Sequence, residues 1–504
     1  MQNLPSGKNI SRDWSRLTVS NNLDYLPVIL NYVGTIAEHV GFDSEERKRI
    51  ELATEEVATN VIECAFAPDE IATFDIICQR APNGLQIIVH DNGIPYNPTS
   101  GESYDPNKDI DSQTSKGLGG FLIRGFMDEY QFCNLGPEGK ETRLVKFFNS
   151  DKIINEDLPT PEPEIPKPTL SQDTEKIDFS IRLMKPDEAI EVAKCIYDSY
   201  GYSYANEHIY YPERIVAFNK SGTIRSAVAV TNTDEMAGHF ALLFYDYLPA
   251  EIGIAVTKKR YRGHGLARFL GEFLVEEANH MGLKGVHVKG VTVHPYTQKF
   301  SQKLGYKDCG FLLAHSPKTL SFKGIADELS QRNSDVVGFK YLQKPELKDL
   351  YLPEHHSEMI LKLFANLDTP VKMVAPTNSL PLNNQTVMNV SINSMRSLGE
   401  IRILQYGKDI IMSLRRELHR LRKEEVHVIE MFLSLSDPMT PVFVPEIEKL
   451  GFFFTGIMPE TAGGDSMILQ YLNGVQIEYE ELTIVSDMAN ELLTYIQEND
   501  PYYT

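Results

Sequence analysis

The sequence predicts a multidomain α+β chain, and three observations predict it. A proline-rich stretch over residues 158–169 divides the chain. On each side of it a strand pattern is followed by a glycine-bearing loop and an amphipathic helix, the element order of a phosphate-binding α/β unit. The last third then repeats a strand–helix–strand pattern of the middle third without its glycine loop.

A chain of 504 residues holds about three domains of ordinary size. Hydrophobic residues at 42 % and charged residues at 24 % describe a globular protein. The formal net charge of −21 is spread along the sequence and repels a nucleic-acid backbone, so nucleic acid is not an expected partner. The N-terminus lacks the apolar core of a signal peptide, and no run reaches the roughly 18 apolar residues of a membrane span. A cytosolic protein with no membrane partner is expected. Cys64, Cys78, Cys133, Cys195 and Cys309 are scattered and without CxxC spacing, which argues against a disulfide frame or a cysteine zinc site. They read as small buried apolar residues.

Taken in order, residues 16–20 read as a strand and 23–40 as a helix stopped by Gly41. Asp43 with Glu46 is a capping-box start for a second helix, whose apolar stripe is Ile50, Ala53, Val57, Val61 and Cys64. The opposite stripe, Leu52, Glu56, Asn60 and Glu63, is free to face a ligand. A carboxamide oxygen suits a partly hydrated Mg²⁺ that bridges phosphates, and a glutamate one turn back can take a proton from a hydroxyl or water. A solvated helix face accounts for the same pair. Strands over 74–78 and 85–90, joined through Pro82, Asn83 and Gly84, deliver the chain to Asp91, Asn92, Gly93, Ile94, Pro95 and Tyr96. A strand-end carboxylate followed by glycine suits the exocyclic amine of adenine, although an ordinary turn also has this sequence. A polar loop over 99–116 then leads into KGLGGFLIRGFMDEYQF, where Gly117, Gly119 and Gly120 open a helix. A glycine-rich helix N-terminus is an anion site. A closing strand is expected over 142–148.

The ordered set of ExxxN on a helix, DNGxPY after a strand and GLGG before a helix resembles the GHKL ATP-binding fold. The continuation GGFLIRGFMDEYQF, with Glu141-Thr142-Arg143-Leu144-Val145-Lys146, is similar to its anti-sigma-factor serine/threonine kinase branch over residues 10–148. The resemblance implies that Asn60 holds Mg²⁺ and that Glu56 is the general base on a serine hydroxyl or water. It implies that Asp91 reads adenine and that Gly93, Gly117, Gly119 and Thr142 line the ATP. It also implies a protein partner, a sigma factor or a STAS-type anti-anti-sigma protein, and leaves a homodimer open. Where the family commonly carries a histidine four residues after the metal asparagine, this chain has Cys64.

Pro159, Pro161, Pro163, Pro166 and Pro168 exclude helix and sheet and leave an extended spacer. The expected divisions are therefore 1–150, a linker over 151–177, a middle domain over 178–345 and a C-terminal domain over 346–504. The middle domain begins with a strand over 179–183 and a helix over 186–200. Strands then follow near 215–218, 226–230 and 239–245. A strand over 252–256 runs into Arg260-x-x-Gly263-x-Gly265 and a helix with Leu266, Phe269, Leu270, Phe273 and Leu274 on one side. Backbone amides at such a glycine-bearing helix start can cradle a pyrophosphate.

This segment resembles the acetyl-CoA site of the GNAT N-acetyltransferases, and the resemblance continues through a strand over 286–291 and Lys303-Leu304-Gly305-Tyr306. It implies that Arg262, Gly263, His264, Gly265, Leu266 and Ala267 bind the CoA pyrophosphate. The backbone of Ile254 and Val256 would hold the pantetheine arm and acyl carbonyl. Ser301 stands where the family commonly has a tyrosine that protonates the CoA thiolate, so Tyr296, His294 or water takes that part, or acyl-CoA is bound without turnover. Glu251, at the start of the cofactor strand, is a candidate base for the amine acceptor, with a solvated strand-edge glutamate as the plainer reading.

In the C-terminal third, Val426-His427-Val428 followed by Lys449-Leu450-Gly451-Phe452 matches Val286-His287-Val288 followed by Lys303-Leu304-Gly305-Tyr306. A degenerate second GNAT-like half is therefore expected. Arg415, Arg416, Arg420 and Arg422 read as a solvated helix face. The functions that fit are a kinase joined to an acyltransferase, an ATP-regulated acyl-CoA-binding regulator, and a scaffold with both sites decayed.

Overall fold

Alternating apolar and polar residues in the first region give strands that pair with their neighbours in sequence, and two helices cover one face of them. The computed structural model describes residues 14–67, 70–81, 84–95, 123–148, 178–204, 206–320, 329–375 and 382–503. The proline-rich spacer, Tyr96, the loop over 99–116, Gly117, Gly119 and Gly120 lie outside the described residues. The chain divides into two units, Met1–Lys176 with Glu207–Pro212, and Ile177–Asn206 with Glu213–Thr504.

In the first unit β1 (Trp14–Ser20), β2 (Thr73–Ala81), β3 (Gly84–Asp91), β4 (Glu129–Asn134) and β5 (Lys140–Phe147) form an antiparallel sheet in the order β1-β2-β3-β5-β4. Strand β4 was not expected between the helix and the closing strand; among the described residues of that stretch only 123–126 are helical. Its aromatic-polar alternation, Tyr130 and Phe132 between Glu129, Gln131 and Cys133, pairs with β5 instead. Helix α1 (Leu26–Val40) ends at Gly41 with φ of +115°, a left-handed cap that glycine adopts without steric cost. Helix α2 (Ser44–Cys64) starts on Asp43, whose carboxylate accepts from the amides of Glu45 and Glu46. The capping box is only half formed, because the Glu46 carboxylate turns to Arg49 and to buried Lys146 instead. Ile50, Ala53, Val57 and Val61 meet Ile29, Val33 and Ala37 of α1 and Phe74, Ile76, Ile87, Val89 and Leu144 of the sheet in one core. Each larger apolar side chain so buried contributes about 1.5–3 kcal/mol. The stripe left outside is the one that carries Glu56 and Asn60.

In the second unit β6 (Phe179–Leu183), α3 (Ala189–Tyr200), α4 (Pro212–Ser221), β7 (Ile224–Thr231), β8 (Met236–Leu243), β9 (Ala250–Thr257), α5 (Leu266–His280), β10 (Gly285–Val291), α6 (Tyr296–Lys303), β11 (Lys307–Ser316) and β12 (Asn333–Tyr341) follow one another. Residues 215–218, expected as a strand, lie in helix α4. So short an apolar run fits either state, and Pro212 at the first helical position with Ile215 buried on one face decides for helix.

The C-terminal region adds β13 (Lys348–Leu350), α7 (Ser357–Asn366), β14 (Val371–Met373), β15 (Val387–Asn393), β16 (Leu398–Gln405), α8 (Ile410–Lys423), β17 (Val428–Ser434), α9 (Thr440–Glu448), β18 (Phe453–Thr461), β19 (Gly464–Leu472) and α10 (Asp487–Asn499). A twelve-stranded sheet runs in the order β15-β16-β17-β19-β18-β11-β12-β10-β9-β8-β7-β6. The run β15-β16-β17-β19-β18 repeats β8-β9-β10-β12-β11 in order, and its one parallel pair, β16 with β17, matches β9 with β10. The two copies meet through equivalent strands, β11 against β18, with Gly310 opposite Gly456. A Cβ on Gly456 would sit 2.3 Å from the Gly310 Cα, so the join requires a residue without one. One hydrophobic cluster spans it, from Phe311 and Phe339 to Phe454 and Leu469, which is why these two regions form a single unit. No helix among the described residues is long and apolar enough to cross a membrane.

Candidate functional site

Glu56 and Asn60 lie one turn apart on the outer face of α2, both half-buried. The Asn60 carboxamide donates from Nδ2 to Glu56 Oε1 at 3.3 Å. That bond orients the amide so that its oxygen, the hard donor a Mg²⁺ ion prefers, is the end directed away from the carboxylate. The residue types and their orientation therefore fit the ion.

Asp91 ends β3 and is 3 % exposed. Its Oδ1 accepts the Gly93 amide at 2.9 Å and the ammonium of Lys140, which stands directly across the sheet on β5. Lys140 also donates to the Ile94 carbonyl at 3.1 Å, so it ties the whole turn to the strand. Neither Asp91 bond uses Oδ2. Gly93 has a reason beyond ligand access: a Cβ there would lie 2.1 Å from the Ala65 carbonyl at the end of α2. The glycine thus brings the Asp91 turn against the helix that carries Glu56 and Asn60, and Ile94 donates to the same carbonyl at 2.6 Å. Thr142 lies on β5 opposite Val89, half-buried. Lys140 was missed by sequence reading, because its partner Asp91 lies on another strand and no local spacing joins them.

In the second unit β9 and β10 pair only at Ala250 with Val286 and Glu251 with His287. Beyond that point no ladder pair joins them among the described residues, so the strands open as a wedge with backbone groups on its walls. The equivalent strands of the second copy stay paired over Leu398 to Arg402 against Val428 to Phe432. A bulge between β8 and β9, where Ile254 takes φ of +49°, bends the opening strand. The buried His239 imidazole donates from Nδ1 to the Ile254 carbonyl at 3.1 Å and is held neutral, its pKa pushed down to about 4 by burial. That carbonyl therefore already has a partner, and Val256 is laddered to His239 of β8, so the edge facing β10 is offered by the residues between them.

The strand leads into Arg262, Gly263, His264 and Gly265, all exposed, and then to α5, which begins with Leu266 and Ala267. Gly263 and Gly265 have φ of +88° and +78°. No heavy atom lies within 4 Å of a Cβ built on Gly263. Backbone conformation, not crowding, requires these glycines, and the space above the loop is open. In the second copy the corresponding Gly407 is filled instead: a Cβ there would be 2.3 Å from the Gln385 carbonyl carbon.

Glu251 is not a solvated strand-edge residue. It sits inside the sheet, its side chain 12 % exposed, with Lys289 Nζ at 2.9 Å, His287 Nε2 at 3.5 Å and the Tyr245 hydroxyl donating at 2.8 Å. Burial alone would push its carboxyl up, but the Lys289 ammonium and His287 outweigh it and hold the group well below the usual range. Such a carboxylate is ionised but weak as a base. Lys289 and Tyr245 were not singled out from sequence and His287 was read only as part of the repeat, since a Val-His-Val-Lys strand carries no spacing rule for a site. Ser301 is buried on α6 and donates to the Gln298 carbonyl at 2.8 Å, so its hydroxyl is committed to its own helix. Tyr296 opens that helix and is 64 % exposed, with its ring 5.1 Å from that of His294. Burial lowers the pKa of His294. Arg420 on α8 pairs with Glu417 of the same helix and with Glu424 just past its end, a solvated face as expected.

Residues 19–146 match a family described as histidine kinase-like ATPase domain. The serine-protein kinase RsbW of Bacillus mycoides (strain KBAB4) is 26 % identical over 140 residues, covering 27 % of this chain and 86 % of that protein. RsbW of Bacillus cereus (strain G9842) matches with the same identity and coverage. Among solved structures, the ribosomal-protein-S18-alanine N-acetyltransferase of Escherichia coli is similar at 15 % identity and a TM-score of 0.27, over 34 % of this chain and 97 % of its own. The ribosomal-protein-S5-alanine acetyltransferase of Vibrio fischeri gives 16 % and 0.26, over 33 % and 93 %. The N-terminal unit therefore contains a histidine kinase-like ATPase domain of the GHKL type, with RsbW among its relatives.

Proposed function

We propose that this chain joins an ATP-dependent protein-serine/threonine kinase of the anti-sigma-factor type to an N-acyltransferase that uses acetyl-CoA. The kinase reading is supported by the Glu56–Asn60 pair on a helix whose end is bound to the Asp91 turn. Asn60 Oδ1 would hold Mg²⁺, which would supply charge neutralisation at the phosphates. Glu56 takes the proton of the incoming serine hydroxyl, and Asp91 Oδ2 accepts from the adenine amine while Oδ1 stays on Lys140. The hydroxyl belongs to a protein partner, a sigma factor or STAS-type protein.

The observation that carries the acyltransferase reading is the β9–β10 wedge beside an open, positive-φ glycine loop, both closed in the second copy. Amides from Arg262 to Ala267 would donate to the CoA pyrophosphate, and the unpaired edge of β9 would hold the pantetheine. Tyr296 would protonate the departing thiolate, and Glu251 with Tyr245 would bind the amine acceptor. Purified protein given Mg-ATP and acetyl-CoA, separately and together, with ADP and free thiol followed in time, tests both activities. The second reading, an ATP-regulated acyl-CoA-binding regulator, is favoured by the committed Ser301 hydroxyl. It requires binding of both ligands with neither product formed.

Asp91→Asn removes one partner of a charge-assisted hydrogen bond, and the expected loss of about 1.5–3 kcal/mol weakens ATP affinity about tenfold or more. Because Lys140 is left facing a neutral amide, thermal unfolding is measured beside calorimetric titration. Unchanged ATP affinity rejects the adenine contact. Tyr296→Phe keeps the exposed ring and deletes only the hydroxyl. A fall in acyl-transfer rate with CoA affinity intact is expected, and a wild-type rate removes Tyr296 from the chemistry.

A further inference from the structure

The turn before α7 places His355 and His356 against Glu448 at the end of α9, and three donor atoms of these residues lie within 4.8 Å of one another. His356 Nε2 is 2.6 Å from Glu448 Oε1, and His355 Nε2 is 3.1 Å from Glu448 Oε2, so one carboxylate faces two imidazoles. The hydrogen bonds around His356 indicate which form of the ring is present. Tyr495 on α10 donates its hydroxyl to the His355 carbonyl at 3.1 Å, and its oxygen lies 2.7 Å from His356 Nδ1. With its own proton spent on the carbonyl, that oxygen must accept, so Nδ1 carries a proton and Nε2 of a neutral ring presents a lone pair. A lone pair and a carboxylate oxygen at 2.6 Å repel unless something positive lies between them. A proton would satisfy that one contact, whereas a metal ion would also use His355, whose ring lies 3.7 Å from that of His356.

We propose that His355, His356 and Glu448 form a binding site for a divalent transition metal of the zinc type, clipping the start of α7 to the end of α9. Two imidazoles and a carboxylate are a known ligand set for zinc, with water in the fourth position. The 46 % exposed His355 side chain leaves that position open to solvent. Donors at about 2.0–2.1 Å from a tetrahedral ion stand roughly 3.3 Å apart, so the short His356–Glu448 contact opens by less than about 1 Å on binding. Tyr495 supplies the outer hydrogen bond that fixes the tautomer of a metal-bound histidine. This is not the cysteine zinc site that the sequence argues against, because adjacent histidines and a distant glutamate give no spacing signal.

The test uses the full chain, stripped with chelator and free of nucleotide, titrated with Co²⁺ and then Zn²⁺. Visible d–d bands of a four-coordinate Co²⁺ site at one equivalent, lost on adding Zn²⁺, are expected, together with a rise in melting temperature. His355→Ala, at an exposed position, and Glu448→Gln should each weaken binding at least tenfold and remove the thermal shift. No bands and no Zn²⁺ heat at micromolar metal would mean that the contact is a shared proton, and would overturn the proposal. Binding unchanged in both variants would place the metal elsewhere and overturn it equally.

Discussion

Glu56→Ala is expected to bind Mg-ATP about as tightly as the parent chain and to lose phosphoryl turnover by about 10²–10⁴-fold, the range a positioned general base contributes. The base acts on a proton that moves only in the transition state, so its deletion appears in the rate and not in ground-state affinity. The structure makes the experiment clean. Glu56 is half-buried on the outer stripe of α2, away from the Ile50, Ala53, Val57 and Val61 face that packs in the core. Removing it also releases the Asn60 Nδ2 bond, so a modest change in Mg²⁺ dependence accompanies the loss. Turnover equal to the parent's, with partner protein supplied, makes Glu56 a surface carboxylate.

Gly263→Leu is expected to abolish detectable CoA binding while the chain stays folded. At φ of +88° a side chain strains the backbone by about 1–2 kcal/mol, a cost a large unit tolerates. The added atoms meet nothing within 4 Å at Cβ, so they fill the open space where the pyrophosphate would sit. Calorimetry with CoA and a thermal melt separate the outcomes. Loss of binding with a small drop in melting temperature supports the loop, and undiminished binding removes it from the site. The matching change at Gly407 should instead disturb the fold without touching CoA affinity, because its neighbours are protein backbone.

Many of the candidate residues could be named from the sequence because the motifs that carry them are local. The Glu56–Asn60 spacing, the Asp91–Gly93 turn and the Arg262–Ala267 loop each depend on residues within a few positions, where helical period and glycine backbone freedom leave few alternatives. The internal repeat was legible too, since Lys-Leu-Gly after Val-His-Val recurs at the same place in the element order. Residues 215–218 were misread, and the strand over 129–134 was not foreseen, for the complementary reason. Four to six residues carry too little periodicity to decide between helix and strand, and pairing partners decided instead.

The sequence by itself determined the α+β class, the repeat and the identity of the residues in the local motifs that the structure describes. Tertiary structure alone decided that Asp91 is held by Lys140, that Glu251 is buried against Lys289, and that Ser301 is turned into its helix. It also decided that the β9–β10 wedge opens in one copy and closes in the other. The physical reason is range. Backbone conformation and periodicity act over one or two turns of chain, whereas the charge state of a buried group depends on whatever distant strand the fold sets beside it.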